Sequence, residues 1–118
     1  MRQALATLAA GMILLLLPAG VLARRPSLHV RPMVVRAGHV VRITGNAGDC
    51  PRGDTVSILS RAFRGRLFAG VGGVETPVRA AGRFAASARV RLRAHGVYRV
   101  TARCGGGNLG VVARLRVL

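Results

Sequence analysis

From Leu28 to the last residue, apolar and polar side chains tend to exchange places at every second position, a period that fits pleated strands and not a helical core. The pattern is cleanest toward the carboxyl end, where Phe84, Ala86, Ala88, Val90 and Leu92 alternate with Arg89, Arg91 and Arg93. Tyr98, Val100, Ala102 and Cys104 alternate with Arg99 and Arg103, and Val111, Ala113, Leu115 and Val117 alternate with Arg114 and Arg116. Successive strand residues face opposite sides, so each apolar set is expected in a core and each arginine set in water. Turn residues divide the pattern into strand A at Leu28–Arg36, interrupted by Pro32 as suits a sheet edge, then B at His39–Gly45 and C at Asp54–Ser60. Strands E at Arg83–Arg93, F at Gly96–Cys104 and G from Leu109 onward complete the clear set. Between them, Arg61–Ala81 scatters Phe63, Phe68, Val71, Val74 and Val78 among glycines and is expected to hold one or two short edge strands. About seven antiparallel strands in so short a chain predict an all-β sandwich of two sheets.

The start of the chain has a different character. Arg2 precedes a Leu-rich stretch that ends at Pro18-Ala19-Gly20, and Val21 and Ala23 occupy the small-residue positions of a signal-peptidase site. Residues 1–23 are therefore expected to be a signal-peptide helix, and residues 24–118 a single domain that is secreted or extracellular. The apolar stretch Ala4–Ala23 also just reaches the roughly 20 residues that cross a bilayer, so the alternative is anchorage by an uncleaved N-terminal segment. The mature chain itself contains no expected membrane span.

Export would place Cys50 and Cys104 in an oxidising environment. A domain of this size buries only about 60 to 70% of its unfolded surface, so a covalent staple matters, and these two residues are the only candidates for one. The charge is lopsided. A net +16 comes from nineteen arginines and no lysine, set against Asp49, Asp54 and Glu75 alone. Such a balance suits polyanionic partners, although an arginine-favouring coding bias gives the same composition.

Three stretches resemble the small secreted immunoglobulin-like proteins of GC-rich actinobacteria. One is Val30–Gly45, with Pro32 and Gly38 ahead of Val40-Val41-Arg42-Ile43-Thr44, followed by Asp49-Cys50. The others are Ser60-Arg61-Ala62-Phe63 and Gly96–Cys104. The resemblance implies an immunoglobulin-like sandwich, an extracytoplasmic location and a Cys50–Cys104 disulfide, and it brings no activity with it. In such a sandwich the B–C and F–G loops share one pole, which would set the two cysteines side by side. The chain departs from antibody-type domains in having no Trp, and Tyr98 lies too far ahead of Cys104 for the usual tyrosine corner.

The candidate sites are few. His39 and His95 fall at neighbouring turns, but without further ligands they make no zinc site, and His29 reads as surface. Asp49 and Asp54 read as turn residues with an arginine partner, and Gly105-Gly106-Gly107-Asn108 as a hairpin turn, since no helix follows to bind phosphate. Three carboxylates, no serine-centred motif and no metal cluster lead to the expectation of no enzyme, no cofactor and no metal. The main expectation is an exported module, binding or structural, with an unknown protein or an envelope polymer as partner. The alternative is a cationic envelope-associated protein that holds polyanions weakly and without selectivity through Arg89, Arg91 and Arg93, with no sequence-specific nucleic-acid binding.

Overall fold

A computed structural model describes residues 24–118, so the expected signal-peptide helix at 1–23 lies outside the described residues. Eight strands follow in order: β1 (Ser27–Arg31), β2 (Val34–Val35), β3 (Val40–Asn46), β4 (Thr55–Leu59), β5 (Gly73–Pro77), β6 (Arg83–Arg89), β7 (Gly96–Cys104) and β8 (Gly107–Val117). They form a three-stranded sheet of order β1-β3-β6 and a five-stranded sheet of order β2-β8-β7-β4-β5. The protein is all-β, as the alternation demands. Among the described residues, the helical turn Ala80–Gly82 is a single 3-10 turn before β6.

Pro32 explains the split between β1 and β2. It has no N–H to offer a ladder, and pairing with β3 stops at Arg31. Two residues later the chain joins the other sheet, where β2 runs parallel to the end of β8 through Val34 opposite Arg116 and Val35 opposite Val117. Strand A is therefore two strands in two sheets. Residue alternation reports which side a residue faces, and it is silent about which sheet the strand belongs to.

The apolar faces of both sheets meet in one core. From the smaller sheet come Leu28, Val30, Val41, Ile43, Phe84 and Ala88, and from the larger Val56, Ile58, Val100, Ala102, Leu115 and Val117. Phe63 and Val90 are fully buried between them and pair in an isolated bridge. Each of the valine, leucine, isoleucine and phenylalanine side chains contributes roughly 1.5–3 kcal/mol when removed from water. Thr76 on β5 donates a hydrogen bond of 3.0 Å to the carbonyl of Ala85 on β6, which ties the sheets along one side. Gly45 on β3 is required by close approach, because a Cβ there would strike the Ser27 carbonyl and come within 2.6 Å of the Phe84 ring.

Two expectations need correction. Strand E ends at Arg89, not Arg93, and Leu92 is 78% exposed instead of lying in the core. Val90 bonds back to His39 and Arg91 to Ala62, which turns the chain out of the sheet before the alternation in the sequence has run out. Arg91 and Arg93 consequently lie in the β6–β7 connection and not on a sheet face.

Candidate binding surfaces

At one pole, the β3–β4 connection and the β7–β8 hairpin are joined by a disulfide between Cys50 and Cys104, with Cα atoms 6.5 Å apart. The expected pairing is present. Gly105 and Gly106 both take positive φ, +58° and +90°, the requirement of a tight two-residue hairpin between paired Cys104 and Gly107. Asp54 lies beside the bond, its Oδ2 3.7 Å from Cys50 Sγ. Cys50, Asp54 and Cys104 bring their ligand atoms within 4.8 Å of one another, but the sulfurs are bonded together and cannot act as thiolate ligands. Asp49 accepts from the backbone N–H of Arg24 at 3.3 Å, not from a guanidinium as expected.

The opposite pole carries the turn histidines. His39 and His95 are both exposed, and His95 donates its backbone N–H to the Tyr98 hydroxyl at 3.0 Å. Tyr98 is half-buried on the face it shares with Cys104, so its ring packs on the core while its hydroxyl ties down the turn before β7. His29 is exposed on β1.

The arginines singled out in the sequence are partly engaged by the protein itself. Arg89 Nη1 donates to the Gly38 carbonyl at 2.7 Å, and Arg91 Nε donates to the Phe63 carbonyl at 2.9 Å. Arg93 lies with Arg64, Arg91 and Leu92 around a shallow depression. The structure therefore does not gather Arg89, Arg91 and Arg93 into one set of free guanidiniums.

Alternation in the sequence puts Arg99, Arg103, Arg114 and Arg116 outward on one sheet, and the structure arranges them as a second basic surface. On the outward side of the five-stranded sheet, Arg99 of β7 stands directly opposite Arg114 of β8, and Val97 stands opposite Arg116. Val34 of β2 flanks Arg116 on its other side. Val34, Val97 and Val112 are 50%, 65% and 47% exposed on this surface. Arg103, next along β7, is held by a 2.7 Å bond to the Gly106 carbonyl and lies 4.8 Å over the Phe68 ring. Beside Arg99 the surface dips into a hollow of about 510 Å³ walled by Leu59, Arg61, Val71 and Val97. The register between β7 and β8 decides which of these residues stand opposite one another, and alternation does not reveal register.

These features define a class: an all-β domain of two sheets with a disulfide-closed pole. No protein-family profile matches the chain, and no curated protein matches it. Among solved structures, it is similar to an alkylpurine DNA glycosylase, AlkC, of Pseudomonas fluorescens bound to DNA containing an abasic site analog, with TM-score 0.51, 14% identity, and coverage of 80% of this chain and 29% of that one. The chain thus spans less than a third of the glycosylase chain. A superoxide reductase (neelaredoxin) from Ignicoccus hospitalis matches with TM-score 0.49, 16% identity, and coverage of 81% of this chain and 82% of that one. A β-glucosidase from Listeria innocua in complex with glucose matches with TM-score 0.42, 10% identity, and coverage of 80% and 16%. The expectation that the chain is not an enzyme is thereby overturned, since a similar fold occurs within the glycosylase. The likeness is one of fold alone and transfers no activity.

Proposed function

We propose that the chain is an exported, disulfide-stapled immunoglobulin-like module that binds anionic polymers of the cell envelope through its surface arginines. Residues 1–23 act as the signal peptide in this reading, and 24–118 as the domain. Two facing sheets, a first strand divided between them, and a disulfide from the β3–β4 connection to the end of β7 all favour the immunoglobulin-like assignment. The reading takes in kinship with the small secreted actinobacterial proteins, which rests on the three stretches of sequence that resemble them.

The observation that carries the binding role is the disposition of charge. Arg31, Arg42 and Arg89 face outward from one sheet and Arg99, Arg114 and Arg116 from the other, with three carboxylates in the entire sequence to offset them. Such a coat concentrates polyanions near the surface without reading their sequence. The test is to express the chain with its leader, isolate the exported form and pass it over immobilised heparin. Retention at low salt with elution below about 0.5 M supports the reading, because screening at that strength dissolves diffuse contacts. Flow-through at low salt refutes it, and an intact N-terminal segment on the isolated protein refutes the cleaved leader.

A further inference from the structure

We propose that the outward surface of β7 and β8, centred on Arg99, Arg114 and Arg116, is a docking strip for a polyol-phosphate polymer, a chain in which short carbon spacers alternate with phosphodiesters. The proposal rests on the polyanion-binding reading above and gives it a place and a partner chemistry.

Three observations converge on this strip. First, Arg99 and Arg114 are directly opposite one another across the β7–β8 ladder. Like charges so placed are destabilising, and an anion seated between them removes the repulsion. The carboxylate on this side of the sheet, Glu75, stands on β5, with β4 between it and β7. Second, among the described residues the guanidiniums of Arg99, Arg114 and Arg116 make no hydrogen bond, whereas those of Arg89, Arg91 and Arg103 are each bonded to a backbone carbonyl. Third, hydrocarbon borders the charge on the strip. Arg116 stands between Val34 and Val97, and Val112 follows Arg114 at the next outward position of β8.

That pattern is complementary to a polyol-phosphate. Arg99 and Arg114 together close on one phosphate. Arg116 meets the next phosphate one pleat repeat along β8, about 6.6 Å away, a spacing comparable to that between phosphates joined by a three-carbon spacer. The spacers then rest on the exposed valines and in the hollow beside Arg99 and Arg61.

Other occupants fit less well. A second copy would oppose arginines to arginines. A protein partner would have to bury all three guanidiniums against matching carboxylates. Guanidinium groups reach further from the sheet than the shorter valines, so a bilayer would meet charge without burying the apolar side chains. Single-stranded nucleic acid gains from aromatic platforms on which its bases stack, and Phe68 is covered by Arg103.

The test uses the exported, oxidised protein and fluorescently labelled synthetic poly(glycerol phosphate), titrated across salt concentrations. The variant R99S/R114S/R116S is expected to lower the slope of log K against log salt by about 1.4, the loss of two phosphate contacts on a flexible chain. R52S/R79S/R83S, which removes three exposed arginines outside β7 and β8, is expected to change the slope by less than half as much. V97S/V112S is expected to weaken binding a few-fold at unchanged slope, and far-UV circular dichroism checks that each variant folds. Equal loss in the two arginine variants would overturn the strip while leaving the diffuse polyanion reading intact. No binding by the unaltered protein to poly(glycerol phosphate), heparin or oligothymidylate would overturn both. Tighter binding to oligothymidylate, or to phosphatidylglycerol vesicles, than to poly(glycerol phosphate) would overturn the partner chemistry.

Discussion

Replacing both cysteines with alanine, Cys50→Ala together with Cys104→Ala, is expected to remove a large share of the stability of this domain. The bond joins positions separated by 54 in the sequence. For a closed loop of about 55 residues, the chain-entropy relation gives roughly 4 kcal/mol at 25 °C, a large share of the 5 to 15 kcal/mol that holds most domains together. Unfolding about 95 residues carries an entropy of roughly 0.2 kcal/mol/K, so the melting temperature should fall by about 20 °C. Native geometry around the bond is secured independently, because Cys104 pairs with Val56 on one side and Gly107 on the other. The loss therefore acts mainly through the unfolded chain, which expands once the link is gone. Urea unfolding followed by circular dichroism reads both consequences: a lower midpoint and a steeper dependence on denaturant as the unfolded state exposes more surface. A loss below about 1 kcal/mol, or a larger loss with no change in steepness, would refute this reasoning.

Two further perturbations follow from the packing. Gly45→Ala drives a methyl group onto the Ser27 carbonyl and the Phe84 ring and is expected to destabilise by about 1–3 kcal/mol in urea unfolding. Thr76→Val keeps the shape but strands the Ala85 carbonyl, which should reduce stability by about 1–3 kcal/mol and speed amide hydrogen exchange in β5 and β6.

The sequence made β7 legible to the residue, because Gly96 and Cys104 bound an unbroken alternation whose inward side is the core. It also made β3 and β4 legible to within a residue at each end, for the same reason. The region from Arg61 to Ala81 was harder, since Phe63 is fully buried by an isolated bridge to Val90 and not by strand periodicity. Leu92 misled because alternation continues past the point where the backbone leaves the sheet. The disulfide was readable, as its partners were the only two cysteines and topology brings their loops together. The outward placement of Arg99, Arg114 and Arg116 on one sheet was readable too, but the pairing of Arg99 with Arg114 was not, because it depends on which residue stands opposite which across a ladder.

The short parallel seam between β2 and β8 also has a mechanical consequence. Arg116 donates to the Met33 carbonyl at 2.8 Å and Leu118 to the Val35 carbonyl at 2.9 Å, so strands near the two ends of the described unit lie zipped in the same direction. Tension drawn between those ends would pull one strand past the other and strain the crosslinks of the seam at once, instead of peeling them singly. A domain wired this way resists being stretched, a useful property for any module held between a surface and a load.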